Sequence, residues 1–123
     1  MPDTKKVLII EDDVMISAMY KTKLEQDGYT VVTADNGSEG LEKAGVEKAD
    51  IILLDVIMPQ LDGFTVLEEL RGKMGIKVPI IMLTNLGTDE DKTKGGQLGA
   101  TDYIVKSSVT PAQVSELVAK NLK

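Results

Sequence analysis

Short apolar runs recur along the chain and define its predicted architecture. They occupy residues 7–10, 31–32, 51–54 and 80–83, with a weaker run at 103–105. These runs are rich in β-branched residues and lack polar alternation, which is typical of strands buried on both faces of a parallel sheet. The pattern therefore predicts five strands in one sheet.

Segments between these runs carry apolar residues at helical spacing. Thr110 precedes Pro111 and Gln113, which together form a helix start signal, and Thr88 precedes three acidic residues that suit the positive end of another helix. The chain thus reads as strand and helix, repeated five times. The clearest stripes are Ile16, Tyr20 and Leu24; Phe64, Leu67, Leu70 and Met74; and Val114, Leu117, Val118 and Leu122.

Strict alternation of strands and helices implies right-handed crossovers and an open sheet covered on both faces. We expect a doubly wound (βα)5 α/β sandwich of three layers with a five-stranded parallel sheet. Its 123 residues suit one domain, spanning residues 1–123, and are too few for a barrel. In such sheets, ligands bind beyond the carboxyl ends of the strands.

Polar side chains follow four of the five predicted strands. Glu11 and Asp12 follow the first, Asp55 the third, Thr84 the fourth and Lys106 the fifth. Crowded carboxylates repel one another unless a cation lies among them, and Mg²⁺ suits carboxylates that also face a phosphate. A carboxylate can attack phosphorus, while a hydroxyl and an ammonium neutralise the phosphoryl oxygens. The sequence therefore predicts a magnesium-dependent acyl-phosphate site.

Composition excludes several other functions. Fourteen basic against twenty acidic residues give a net charge of −6, which disfavours nucleic-acid binding. The chain has no cysteine and no histidine, so thiolate sites, histidine metal sites and a Ser-His-Asp triad are impossible. No apolar run reaches the roughly 18 residues of a membrane span, and no secretory leader is visible. We expect a cytoplasmic protein.

The segments at residues 7–13, 34–39, 55–63 and 99–106, together with Thr84, resemble in order and spacing the receiver domain of response regulators. The resemblance covers nearly the whole chain and implies a flavodoxin-like fold. No effector domain is visible after the fifth predicted helix, so we expect a domain that either acts by protein contact alone or was cut from a longer protein. The resemblance implies a signalling switch rather than an enzyme, acting on a downstream protein target as a monomer or a weak phosphorylation-dependent dimer. The implied phosphodonor is a sensor histidine kinase or a histidine phosphotransfer protein in a phosphorelay.

The resemblance also implies roles for single residues. Asp55 would be the phosphoacceptor, Asp12 a direct Mg²⁺ ligand and Glu11 a ligand through water, with the backbone carbonyl of Ile57 completing the protein's share. Thr84 and Lys106 would bind the phosphoryl group, and the ring of Tyr103 would swing inward when Thr84 moves. The implied output surface consists of the fourth helix, the fifth strand and the fifth helix.

Three residues depart from the family pattern. Ser107 follows Lys106 where proline is usual, so the loop either pays for a cis bond without proline or takes another path. Asn85 stands where Ala or Gly is common, and Leu86 offers no polar group to orient water. We therefore predict a long-lived phosphoform.

Other readings compete with this one. A degenerate receiver would bind partners without phosphorylation, and a hydrolase of the haloacid-dehalogenase type would need an acid where Ile57 stands. Flavin binding would need a phosphate loop after the first strand. At single positions, Asp13 is mainly a helix cap, and Asp62 with Gly63 is a turn and helix start.

The fourth helix is predicted to be the least stable. It has few apolar residues, and Gly95 and Gly96 lie inside it, each costing roughly 1 kcal/mol relative to Ala. Gly99 is expected to end it. We predict that this helix moves on activation.

Overall fold

The computed structural model describes residues 4–85 and 87–122. Five strands and five helices alternate along these residues, as the sequence predicts. The strands are β1 (Lys6–Ile10), β2 (Thr30–Ala34), β3 (Ile51–Leu54), β4 (Ile80–Thr84) and β5 (Asp102–Val105). The helices are α1 (Val14–Gln26), α2 (Gly37–Glu47), α3 (Gly63–Glu68), α4 (Asp89–Gln97) and α5 (Pro111–Asn121).

The strands form one parallel sheet in the order β2-β1-β3-β4-β5. Successive residues of each buried strand face opposite sides, so the sheet divides the core into two clusters. One cluster lies beneath α2 and α3, and the other beneath α1 and α5. The predicted three-layer, doubly wound sandwich is therefore confirmed.

Side-chain caps begin the helices where the sequence predicts them. Asp13 accepts the amides of Met15 and Ile16 at the start of α1, and Thr88 caps α4. Thr110 forms a capping box with Gln113 at the start of α5. The capped positions fix where each helix leaves the edge of the sheet.

The stripe predicted on the third helix is only partly correct. Phe64, Leu67 and Leu70 are buried, but Met74 is 36% exposed. A π-helical turn, Glu69–Lys73, follows α3 and inserts an extra residue into the turn, which rotates the end of the stripe away from the core. The periodicity of the sequence did not indicate this turn.

Two further local features bear on function. Among the described residues no peptide bond is cis, so the bond between Lys106 and Ser107 is trans and the chain continues into a 3-10 turn, Lys106–Ser108. Gly99 follows α4 with φ +103°, a conformation that favours glycine, as the predicted helix end requires. Within the described residues, no helix has the length and apolar character needed to cross a bilayer.

Candidate functional site

The carboxyl edge of the sheet carries a pocket of about 260 Å³. Because the strands are parallel, their carboxyl ends meet at this edge, and the side chains that follow them converge there. The structure brings together all six residues predicted to form the phosphorylation and metal site. The lining consists of Glu11, Asp12, Asp13, Ile16, Asp55, Ile57, Thr84, Asn85 and Lys106.

A lysine bridges two carboxylates at the centre of this pocket. The ammonium of Lys106 donates a hydrogen bond to Glu11 and lies 3.2 Å from Oδ2 of Asp55. All three side chains are largely buried, with exposed fractions of 10% for Lys106, 4% for Glu11 and 6% for Asp55. Lys106 thus reaches from β5 across to the ends of β1 and β3, despite the serine that follows it.

Burial and charge perturb the protonation of this cluster. Burial, more than any other cause, raises the pKa of Glu11 to about 7, and the nearby Asp55 adds to the rise although the ammonium of Lys106 opposes it. Burial by itself would lower the pKa of Lys106, but its bond to Glu11 and the charge of Asp55 outweigh this and raise it. The lysine therefore stays charged, whereas burial disfavours the charged form of Glu11.

Three carboxylates at this edge form a set of oxygen donors that fits a hard divalent cation. One oxygen from each of Glu11, Asp12 and Asp55 lies within 4.8 Å of the others. Asp12 is exposed whereas the other two are buried, so the set opens toward solvent on one side. Mg²⁺ prefers such carboxylate oxygens and keeps several waters of its own. A cation there would stabilise the charged form of Glu11, which burial and then the nearby Asp55 disfavour.

The loop after Asp55 is held by backbone contacts. The amide of Asp55 donates to the carbonyl of Ile10 at 3.0 Å, and the amide of Gly63 donates to the carbonyl of Val56 at 2.8 Å. A Cβ at Gly63 would lie 2.1 Å from the carbonyl oxygen of Asp55. From the sequence, Gly63 is predicted only to start a helix, but it also packs directly against the backbone of the candidate phosphoacceptor.

Thr84 and Tyr103 lie at different depths. Thr84 is fully buried at the end of β4, beside the pocket. Tyr103 is half-buried on β5 and packs against the cluster beneath α2 and α3; burial, and then the charges of Asp91 and Asp55, raise its pKa to about 12. Asn85 is exposed at the rim of the pocket, whereas Leu86 lies outside the described residues.

Comparison with known proteins finds a matching family model and relatives with similar sequences. The family model for the response regulator receiver domain matches residues 7–119. The alkaline phosphatase synthesis transcriptional regulatory protein PhoP of Bacillus subtilis is 41% identical over 119 residues, which are 97% of this chain and 49% of PhoP. The probable transcriptional regulator ycf27 of Cyanophora paradoxa is 44% identical over 94% of this chain and 46% of its own length.

Solved structures agree with the sequence relatives. The chemotaxis protein CheY4 of Vibrio cholerae has a TM-score of 0.90 and 35% identity, covering 98% of this chain and all of that chain. The receiver domain of Francisella response regulator 1452 has a TM-score of 0.90 and 34% identity, covering 97% of each chain. The chain spans about half the length of the curated relatives that it matches. It belongs to the family of response regulator receiver domains, in which signalling by two-component systems proceeds through phosphorylation of an aspartate.

Proposed function

We propose that Asp55 is the phosphoacceptor of this receiver domain and that Lys106 binds the transferred phosphoryl group. The observation that carries this proposal is the 3.2 Å approach of the Lys106 ammonium to Oδ2 of Asp55. Like Glu11, Asp55 belongs both to the ion pairs of Lys106 and to the set of three carboxylates. It therefore stands where a nucleophile, a fixed cation and a metal site coincide.

The proposed reaction transfers a phosphoryl group from a phosphohistidine of a sensor kinase or phosphotransfer protein. A carboxylate oxygen of Asp55 attacks phosphorus, the bond to the histidine nitrogen breaks, and the electron pair of that bond leaves with the imidazole. The Lys106 ammonium and the Thr84 hydroxyl neutralise the phosphoryl oxygens. The role of Thr84 is supported by its position at the end of β4, where it is buried and lines the pocket.

The proposed Mg²⁺ ligands are Glu11, acting through water, Asp12, Asp55 and the backbone carbonyl of Ile57. When bound, the ion supplies positive charge to the phosphoryl oxygens during transfer. The proposal is supported by the oxygen donors of the three carboxylates and by the pKa of Glu11, which burial raises even though Lys106 opposes the rise. Ile57 lines the same pocket, which supports the use of its carbonyl.

Intact mass spectrometry after incubation with acetyl phosphate and Mg²⁺ tests the acceptor. We expect one phosphoryl group on the native chain and none on Asp55→Asn, a substitution that keeps the size of the side chain. Asp62→Asn is the matched control, because Asp62 lies outside the pocket at the start of α3, and it should be labelled normally. Absence of label on the native chain, while another receiver is labelled in the same mixture, would support a degenerate receiver.

The domain is further proposed to catalyse its own dephosphorylation only slowly. Asn85 stands at the rim of the pocket, and the apolar side chain of Ile57 is 56% exposed beside it. Neither side chain offers a carboxylate that could activate water. We expect the label to persist well beyond seconds after removal of the donor and to decay faster in Asn85→Ala. A native phosphoform lost within seconds contradicts this part of the proposal.

Phosphorylation is proposed to change the affinity of the α4, β5 and α5 surface for a downstream protein. Tyr103 lies on β5 within this surface and Thr84 ends the neighbouring strand, with Thr84 paired to Val105 in the ladder. A change at Thr84 is therefore only one strand away from the aromatic ring. Phosphorylation-dependent chemical shift changes in residues 89–121, absent in Asp55→Asn, would support this route.

A further inference from the structure

α4 meets the rest of the molecule through a glycine. Within α4, all of whose residues the structure describes, only Gly95 is buried. Gly96, the next residue, is exposed. From the sequence, both glycines are predicted to weaken the helix, but in the structure they have different surroundings.

Space, rather than backbone conformation, distinguishes Gly95 from Gly96. A Cβ at Gly95 would lie 2.9 Å from Cδ2 of Tyr103 and 3.3 Å from the sulfur of Met82. A Cβ at Gly96 would have no neighbour within 4 Å among the described residues. Neither glycine has a positive φ, so alanine suits the backbone at both positions. The ring of Tyr103 thus occupies space that any side chain at residue 95 would need.

Two further contacts of α4 and its end are seen among the described residues. The ammonium of Lys94 lies 4.5 Å from the centre of the Phe64 ring, and the carbonyl of Gly99, beyond the end of the helix, accepts a hydrogen bond from Arg71. Gly95 lies between these two contacts along the chain. Displacement at Gly95 therefore acts at the buried residue of α4.

We propose that Gly95 is a positioning residue for the switch: the Tyr103 ring seats against the α4 backbone at Gly95, so the ring and the helix move together. The inference rests on the proposed switch role of Tyr103 and adds the contact through which that role reaches α4. When the ring moves away from Gly95, α4 loses this contact, and a shift of α4 likewise removes the contact from the ring. Even a methyl group at residue 95 would lie 2.9 Å from Cδ2 of Tyr103 and would force the ring or the helix to shift, so glycine is needed for this contact.

Gly95→Ala and Gly96→Ala form a matched pair for amide hydrogen exchange on the unphosphorylated protein. Alanine favours the helix equally at both positions, which alone would slow exchange in α4 by up to about fivefold. We expect this slowing in Gly96→Ala. In Gly95→Ala we expect exchange faster than in the native chain, because the new methyl group collides with the Tyr103 ring. Equal slowing in both variants would overturn the proposal.

The ring itself provides a second readout. With ¹³C-labelled tyrosine, the Tyr103 ring resonances should shift in Gly95→Ala and stay in place in Gly96→Ala. Tyr20 and Tyr29 pack on the opposite face of the sheet and should not respond in either variant. Unchanged Tyr103 resonances in Gly95→Ala would contradict the contact, whatever the exchange data show.

Removing the ring tests the identity of the obstacle. In a Tyr103→Ala background, Gly95→Ala should slow exchange in α4 just as Gly96→Ala does. If Gly95→Ala alone does not fold, adding Tyr103→Ala should restore folding. Persistent acceleration in the double variant would overturn the proposal. None of these measurements needs phosphorylation, so a failure of Asp55 to accept phosphate would remove the proposed function and leave this test independent.

Discussion

At the scale of single residues, Gly63 shows how closely the backbone packs around Asp55. A Cβ there would lie 2.1 Å from the Asp55 carbonyl oxygen and 2.6 Å from Cα of Val56, both backbone atoms that cannot rotate away. We expect Gly63→Ala to lower the free energy of unfolding by about 1–3 kcal/mol or more, as overpacking does. It should also weaken Mg²⁺ binding, because the new methyl group would displace the backbone of Asp55 and Val56 and with it the loop that carries Ile57. Urea unfolding and Mn²⁺ titration followed by electron paramagnetic resonance measure the two effects.

Gly72 provides the control for this substitution. It lies in the π-helical turn, and a Cβ there would have no neighbour within 4 Å among the described residues. Gly72→Ala should leave Mn²⁺ affinity unchanged. A Gly63→Ala variant with native metal affinity would show that the contact does not position the site.

A buried serine links α5 to the end of α1. The Ser115 hydroxyl donates to the carboxylate of Asp27, and this bond is the main reason that the pKa of Asp27 is lowered. Because the pKa of Asp27 is lower in the folded state, its ionised carboxylate stabilises the protein at pH values above the ordinary Asp pKa of about 3.9. This stabilisation is lost as the pH falls through the folded-state pKa. We expect Ser115→Ala to lower the melting temperature at neutral pH, with a difference from the native chain that narrows toward pH 3. Ser38→Ala, an exposed helical serine, controls for helix propensity, and a pH-independent difference would contradict the assignment.

Residue-level prediction from sequence succeeded where neighbours along the chain carry the information. Asp13, Thr88 and Thr110 were identified as caps because a cap bonds amides two or three residues away. The contacts of Gly63 with Asp55 and of Gly95 with Tyr103 join segments that approach only after folding. Their distances are a property of the packed structure, so the sequence showed two glycines and no contact.

At the scale of elements, Arg71 fastens the π-helical turn to the start of β4 and to the loop before β5. The guanidinium of this single arginine donates to the carbonyls of Gly99, Ile76 and Val78 at 2.9, 2.8 and 2.7 Å, and to the Thr101 hydroxyl. Lysine cannot reproduce this fork of donors.

We expect Arg71→Lys to lower the free energy of unfolding by roughly 2 kcal/mol, because carbonyls lose charge-assisted bonds. Exchange should quicken at the start of β4 and in the loop after α4, while α1 keeps its protection. Lys73→Arg, an exposed position in the same turn, is the control for the exchange of one cation for another. Unchanged stability in Arg71→Lys would show that one donor suffices.

Element prediction succeeded for strands and missed the irregular turns. Continuous apolar runs identified β3 to the residue, since both of its faces are buried and no polar position interrupts it. β2 extends on both sides of its apolar pair, because ladder bonds to β1 recruit Thr30 and Thr33. The π-helical turn has no periodic signature in the sequence, and its Arg71 bonds the carbonyl of Gly99, which comes near only after folding.

At the scale of the whole molecule, the carboxylate set predicts that Mg²⁺ stabilises the fold. A ligand bound only by the folded state stabilises it by about 2.7 kcal/mol at a hundred times its dissociation constant. We expect the melting temperature to rise across millimolar Mg²⁺ at constant ionic strength. Asp12→Asn should reduce this rise with little effect on the metal-free protein, because Asp12 is exposed. Identical melting curves with and without Mg²⁺ would contradict the metal site.

The sheet also separates the aromatic residues that absorb near 280 nm. The chain has three tyrosines and no tryptophan. Tyr20 and Tyr29 pack beneath α1 and α5, whereas Tyr103 packs on the other face, against Gly95. An ultraviolet difference spectrum of the unlabelled protein therefore contains Tyr103 at the proposed switch, Tyr20 within range of the charges of Lys106, Glu11 and Asp55, and Tyr29 as the reference. If phosphorylation moves the Tyr103 ring as proposed, this spectrum follows activation of the domain without any added probe.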